Sequence, residues 1–443
     1  MGRQRRLLTT EPVIADIESM TPEGQGIARI AGKTVFIDGA LAGETVEFVY
    51  TRSRRNYDEG RVQKVLSASV SRVEPACAHF GLCGGCRLQH VSSEEQIRLK
   101  QQTLLDDLTH IGRVTPESVL APLTGPIWGY RNKARLGVRY VDKKEKVLVG
   151  FRERGSHFLA ELEQCLILTP ELGGRLPELG ELVRRLSCYR RLPQIEVAAG
   201  DEQTALVFRH LDPLTEADVQ WLIDYGRRNN FVIYQQPKGP DSVTLLYPEQ
   251  TTLQYTLPEF DVTLEFLPSD FTQVNSDINR RMVSHALQLL EVTPEDRVLE
   301  LFCGLGNFSL PLARRAAEVV AVEGESDLIR RARANAERNG IDNAQFHVAN
   351  LFEETAAEPW LKKQTYNKVL LDPPRSGAAQ MIPQLAATGA QRIVYVSCNP
   401  ATLARDAGEL VNQHGYRLVS AGIMDMFPHT AHVESIALFV KGE

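Results

Sequence analysis

The C-terminal third of the chain alternates apolar runs with helix-forming stretches, and this alternation limits the fold more than any other feature. From about Phe271 onward, Arg297–Phe302 (RVLELF), Glu318–Val322 (EVVAV), Lys368–Leu371 (KVLL) and Arg392–Val396 (RIVYV) have the length and composition of strands buried on both faces. The helix predicted between the second and third runs has clean ends. Ser326 can cap it, Asp327 sits in its first turn, and Asn339–Gly340 supplies the stop. The pattern predicts an α/β domain built on a doubly wound, Rossmann-like parallel sheet. In such a sheet ligands collect at the carboxyl ends of the strands, so the residues just after each run are the ones to inspect.

The N-terminal part has a different period. Thr10 to Leu66 reads as short β-rich segments separated by turn signals at Gly24, Ala31–Gly32, Asp38–Gly39 and Ala42–Gly43, which predicts a small OB-like β-barrel. Arg52, Arg54, Arg55 and Tyr57 cluster after one of these segments. Cys77 to Cys86 lacks periodicity and holds three glycines, as a loop wrapped around something would, and a helical stretch follows from Ser92 to about Leu108. From Trp128 to Phe158 the chain turns basic and aromatic. Ala134, Leu136, Val138 and Tyr140 alternate along a strand that leaves Arg135 and Arg139 on the opposite face, a pattern suited to phosphate contacts and base stacking.

Composition closes off several classes. A formal charge of −6 means that any nucleic-acid binding must run through local patches. No apolar run is long enough to span a bilayer. The basic N-terminus (MGRQRR) is followed by no apolar h-region, so the expectation is a cytoplasmic chain without a secretory signal. Seven cysteines, three of them at positions 77, 83 and 86, suit metal or catalytic roles better than a disulfide framework.

The loop Glu300–Asn307 (ELFCGLGN) follows the first apolar run, and its glycines let the backbone approach a ligand closely. A dinucleotide fold would want a third glycine where Ser309 stands. Glu323 ends the next run, where a carboxylate can accept both hydroxyls of a ribose. Together these support a nucleoside ligand without choosing it. After the third run comes Asp372-Pro-Pro-Arg375, whose prolines stiffen the turn and hold Asp372 at the ligand edge. After the fourth comes Ser397-Cys-Asn-Pro400. Asn399 can cap the next helix with Pro400 as its first residue, which sets Cys398 beside a helix N-terminus and is expected to favour its thiolate. Near the end, HTAHVE from His429 to Glu434 leads into a final strand. Burial there would raise the pKa of Glu434 toward acid–base duty; a His–His–Glu metal site is the weaker reading, for want of a cysteine partner.

These motifs together resemble the bacterial 5-methyluridine RNA methyltransferase family: FTQVN from Phe271 to Asn275, DPPR from Asp372, SCNP from Ser397, and HTxHxE from His429. The likeness covers nearly the whole chain and implies a C-terminal class I methyltransferase domain using S-adenosyl-L-methionine. It implies that Cys398 is the nucleophile, Glu434 the general base and Asp372 the group at the uracil edge. It places Gln273, Phe302, Asn307, Glu323, Asn350 and Asp372 around the cofactor. The chemistry agrees with that assignment. Uracil carbon 5 is a poor nucleophile until a thiolate adds at carbon 6, and a base must then remove the carbon-5 proton. The N-terminal barrel resembles a TRAM domain, and CX5CX2C at Cys77–Cys86 resembles the iron–sulfur subgroup that modifies 23S ribosomal RNA. That subgroup implies a [4Fe–4S] cluster on Cys77, Cys83, Cys86 and Cys165. On spacing alone, zinc would serve four thiolates equally well.

The expected organisation is a TRAM domain at 8–67, a central iron–sulfur and RNA-binding domain from 75–92 and 125–265, a helical segment at 93–124 packing on the methyltransferase domain, and that domain at 266–443. The expected partner is 23S ribosomal RNA or a large-subunit precursor, with no membrane, and the chain is expected to act as a monomer. A non-catalytic RNA-binding assembly factor and a nicotinamide oxidoreductase are the alternatives. The intact set of Cys398, Glu434 and Asp372 speaks against the first, and Ser309 against the second.

Overall fold

Alternating burial along short strands builds the first sheet of the computed structural model, which describes residues 11–353, 358–362 and 364–442. The basic N-terminal hexapeptide lies outside the described residues. The chain divides into two compact units: Met1–Gln102 with Arg152–His157 and Phe427–His432 in one, and the remainder in the other.

In the first unit, six strands form a curled sheet in the order Val13–Asp16, Thr45–Ser53, Tyr57–Ser67, Lys33–Asp38, Gln25–Ile30, Ser19–Met20. Its inward face buries Ala15, Ala28, Val35, Ile37, Val46 and Phe48. Gly60 is there because the Phe48 ring lies 2.4 Å from where a Cβ would stand. Buried Glu44 ties down the exit of the sheet. It accepts from Leu41 N–H (2.9 Å) and Ser69 N–H (3.2 Å) and pairs in a fork with Arg72 at 2.5 and 2.8 Å. Ser92 accepts from Glu95 N–H at the start of the helix Ser93–Asp107.

The second unit holds two larger sheets. The central one runs in the order Thr244–Tyr247, Phe231–Gln236, Thr204–Arg209, Gln194–Ala199, Lys133–Val141, Lys146–Gly150. Along Lys133–Val141 the apolar residues are buried while Arg135 and Arg139 are exposed, as the alternation requires. The helices Leu176–Arg185 and Glu216–Asn229 pack on this sheet. The C-terminal sheet has eight strands, in the order Ala344–Val348, Glu318–Glu323, Arg297–Leu301, Lys368–Leu371, Arg392–Ser397, Glu434–Lys441, Tyr416–Met424, Ser118–Val119. The first five are parallel, and Glu434–Lys441 enters antiparallel between its neighbours. Chain order reverses direction between Arg297–Leu301 and Lys368–Leu371, and at such a switch point the flanking loops part to leave a crevice.

Two helix starts test the capping expectations. Helix Pro400–His414 begins as expected, with the Asn399 side chain accepting from Ala401 N–H and Pro400 at the first position. Helix Ser326–Arg338 begins one residue earlier than expected: Ser326 is already helical, and extended Glu325 holds the cap position without a capping hydrogen bond. The reason lies in Glu323, whose carboxylate takes the N–H groups of Gly324 and Glu325 and so turns the chain before Ser326. Gly340, at φ +62°, ends this helix in the left-handed region as expected.

Candidate active site

Three loops leave the carboxyl edge of the parallel strands and form a cradle. In the first, Phe302 stands at φ +64°, a conformation costly for a bulky residue, with Gly304 and Gly306 also at positive φ. The bend turns the N–H of Gly304 toward Glu323, whose Oε2 accepts it at 3.2 Å. The other carboxylate oxygen accepts from Gly324 at 2.6 Å, so the side chain bridges the ends of adjacent strands. Asn350 begins a tight turn: its Oδ1 accepts from Phe352 N–H and its Nδ2 donates to Glu353. The Phe352 ring lies 5.9 Å from that of Phe302.

Asn307 is held by two residues that no sequence motif singled out. It exchanges side-chain hydrogen bonds with Asn279 at 2.9 and 3.0 Å, and the Tyr255 hydroxyl donates to it at 3.0 Å. Asn279 and Tyr255 line a small cavity with Gln273, which joins Gln273 to the same corner. A buried asparagine one turn into an apolar helix face was the available signal for Asn279. Glu300 was also missed. It is fully buried, accepts from the Ser309 hydroxyl, and keeps its second oxygen without a partner. Burial, then Asp372 and Glu323, pushes its pKa up to about 8.

On the other side of the switch point, register does the positioning. The antiparallel ladder ends at Ser397 opposite Ser435, and Cys398 and Glu434 are the residues that follow this last pair on the two segments. Glu434 is buried, while Cys398 is half-buried. Asp372 extends the neighbouring strand, and burial and then Glu434 raise its pKa well above the usual carboxylate range. The expectation of an activated thiolate fails for the free protein. Burial, Glu434 and Asp372 push the Cys398 thiol up to about 11, against a smaller opposing pull from Arg375. The helix terminus does not offset this, because its leading amide is already taken by the Asn399 side chain and two carboxyl groups stand close by.

A buried carboxylate fixes the Asp372 turn on Cys398's own helix. Asp406 accepts from Ala378 N–H (2.8 Å), the Tyr395 hydroxyl (2.7 Å) and Arg405 (2.8 Å). The Asn399 amide donates to the Arg375 carbonyl at 2.9 Å. The Cys398 loop and the Asp372 turn are therefore one hydrogen-bonded assembly.

The iron–sulfur expectation finds no support in the arrangement of the described residues. Cys77, Cys83 and Cys86 lie on one loop of the first unit, Gly85 N–H donates to the Cys83 sulfur at 3.4 Å, and burial raises the Cys83 thiol with Cys77 adding to it. Cys165 belongs to the second unit. Among the described residues no three His, Cys, Asp or Glu side chains stand together as a metal-holding group, although thiols are the donors that a soft metal takes.

A parallel sheet with its reversal beside a glycine loop, a cysteine just after the parallel strand Arg392–Ser397 and an antiparallel strand inserted beside that strand have the architecture of a methyltransferase domain. Residues 249–442 match the family model for tRNA (Uracil-5-)-methyltransferase and residues 11–62 match the TRAM domain. A 23S rRNA (uracil(1939)-C(5))-methyltransferase RlmD from Hahella chejuensis is 56% identical, with all of both chains covered. The RlmD of Xanthomonas axonopodis pv. citri is 51% identical, again over both full lengths. The crystal structure of a Pyrococcus abyssi tRNA (uracil-54, C5)-methyltransferase with S-adenosyl-L-homocysteine is 24% identical; it covers 96% of this chain and 99% of its own, with a TM-score of 0.73, and shares the fold. The chain belongs to the RlmD family of 23S rRNA (uracil-C5)-methyltransferases. Among the described residues no helix is long and apolar enough to cross a membrane.

Proposed function

We propose that this protein methylates carbon 5 of the 23S ribosomal RNA uridine that its relatives' names number 1939, through a covalent adduct with Cys398. The observation that carries the proposal is that Cys398 and Glu434 both follow the last pair of one ladder, Ser397 with Ser435, and that Glu434 and Asp372 both act on the Cys398 thiol. S-adenosyl-L-methionine supplies the methyl group when bound against Gln273, Phe302, Asn307, Glu323 and Asn350. Burial and then Glu434 favour the protonated form of Asp372, which offers one O–H donor and one carbonyl acceptor to match the O4 and N3–H edge of uracil. The Cys398 thiol loses its proton to solvent, the thiolate bonds to carbon 6, and the electron pair of the 5,6 double bond moves onto carbon 5 and O4, so that carbon 5 can take the methyl group and leave S-adenosyl-L-homocysteine. After methylation the Glu434 carboxylate takes the carbon-5 proton, the carbon 6–sulfur bond breaks, and the thiolate is released. Cys77, Cys83, Cys86 and Cys165 are proposed as the ligands of a [4Fe–4S] cluster that takes no part in these steps. The enzyme is proposed to work in the cytoplasm as a monomer.

The test is nucleoside mass spectrometry with site mapping on unmodified 23S and transfer RNA. New 5-methyluridine at one 23S position is expected from the wild type and none from Cys398→Ala, which should keep its cofactor affinity. Glu434→Gln should accumulate a denaturation-resistant protein–RNA adduct. Normal turnover by Cys398→Ala would sink the mechanism, and product only in transfer RNA would sink the substrate.

A further inference from the structure

The helix side of the central sheet carries an aromatic and cationic cluster that the catalytic site does not use. Tyr140 lies near the end of the strand Lys133–Val141, Arg184 and Arg185 end the helix Leu176–Arg185, and Tyr189 and Arg190 form the short turn that follows. The two tyrosine rings meet edge to face at 5.0 Å. The Arg190 guanidinium sits 4.3 Å from the centre of Tyr140, and that of Arg184 sits 4.5 Å from Tyr189. Arg185 lies 5.1 Å over Trp221, an indole left 40% exposed. The connection is rigid, because Asp218 accepts from both the N–H (2.7 Å) and the hydroxyl (2.5 Å) of Ser187, between the helix and the turn.

Ordinary surface arginines wave in solvent or pair with carboxylates. Here Arg184 and Arg185 make no ion pair among the described residues. Arg190 bonds Asp142 at 2.8 Å yet keeps 53% of its side chain exposed. An arginine lying flat on a ring presents the N–H groups at its edge outward, and its rotamer is already fixed, so little ordering remains when an anion arrives. Such a surface suits a partner with both negative charge and flat faces. RNA has both, in its phosphates and its unstacked bases. An acidic peptide would satisfy the guanidinium groups and leave the indole face unused.

We propose that this cluster grips a second segment of the RNA substrate, with phosphates on Arg184, Arg185 and Arg190 and an unstacked base against Trp221. The proposal rests on the reading of the chain as an RNA methyltransferase and adds a footprint outside its catalytic cradle. It lies on the face of the central sheet opposite Arg135 and Arg139.

The test compares the wild type with the exposed triple variant R184A/R185A/R190A on a long 23S fragment. It measures Kd across a salt series, circular dichroism, and methylation at saturating RNA. The expected result is an affinity loss of about tenfold or more, and a salt slope smaller by about two to three, since each lost phosphate contact removes roughly 0.7–0.9. The turnover number at saturation should not change. The triple lysine variant should recover the slope but not the affinity, and full recovery would overturn the role of the stacked geometry. A folded alanine variant with unchanged Kd and slope would overturn the proposal while leaving the enzyme's activity as read. Unchanged affinity for naked RNA, with weaker binding to assembling subunit particles, would overturn RNA in favour of a protein partner. A wild type that neither binds nor methylates RNA would overturn the reading beneath it.

Discussion

Cys398 in the free enzyme is a thiol, not a thiolate, because burial and two neighbouring carboxyl groups set its pKa at about 11. Its thiolate fraction should therefore rise about tenfold with each pH unit from 7 to 10. Alkylation of Cys398 by iodoacetamide, followed by peptide mass spectrometry, should be slow at pH 7 and accelerate with that slope. Fast, pH-independent labelling between pH 6 and 8 would refute it. Glu300 gives a second prediction, concerning stability. Its folded pKa of about 8 lies above its ordinary 4.5, so the folded protein holds a proton that the unfolded chain releases. The contribution is fully present below pH 4.5 and is lost as pH rises through 8, by on the order of a few kcal/mol. Glu300→Gln, which still accepts from Ser309, should flatten the fall in Tm between pH 5 and pH 8. An identical pH profile in the variant would count against the assignment.

At the scale of elements, the site depends on how strand ends and helix starts are tied. The helix beginning at Ser276 reaches the glycine loop through Asn279, whose paired amide holds Asn307 in place. Asn279→Ala would leave the Asn307 amide half satisfied at a half-buried position. It should weaken S-adenosyl-L-methionine binding about tenfold by calorimetry, in line with the roughly 1–1.5 kcal/mol of such a bond, while the fold persists. Unchanged affinity would mean that Asn307 needs no support. The Cys398 and Asp372 loops were legible from SCNP and DPPR, because proline, asparagine and cysteine have strong local meaning. Asp406, which locks the two loops together, was not legible: an aspartate in the middle of a helix carries no signal until the fold places Tyr395 and Ala378 against it. Glu325 displaced Ser326 as cap for the same kind of reason, since Glu323 reached forward and turned the chain first.

For the whole molecule, the cysteines give the sharpest expectation. If Cys77, Cys83, Cys86 and Cys165 bind the proposed cluster, protein purified without oxygen should carry about four irons per chain and absorb broadly in the visible. Cys165→Ser should lose this absorbance and Cys188→Ser should retain it, which elemental analysis and spectroscopy can read together. Zinc in place of iron would correct the metal and keep the ligands. A metal-free wild type would remove the cluster altogether.

Sequence by itself determined the period of each segment and the chemistry of each loop. Strand-length apolar runs demanded a parallel sheet, short alternating strands demanded a curled one, and the Cys, Glu and Asp motifs pointed to the groups proposed to react, because these signals are local and survive without a partner. Only the tertiary structure decided which groups face one another. The ladder that ends on Ser397 and Ser435 brings together two segments far apart in the chain, with Cys398 and Glu434 next along them. Burial first, and then the neighbouring carboxyl groups, raise the pKa of Cys398 and of Asp372. The stacking of Arg184 on Tyr189 and of Arg190 on Tyr140 likewise needs a helix packed on a sheet. Burial and through-space charge depend on distances between segments far apart in the chain, and no local pattern encodes them.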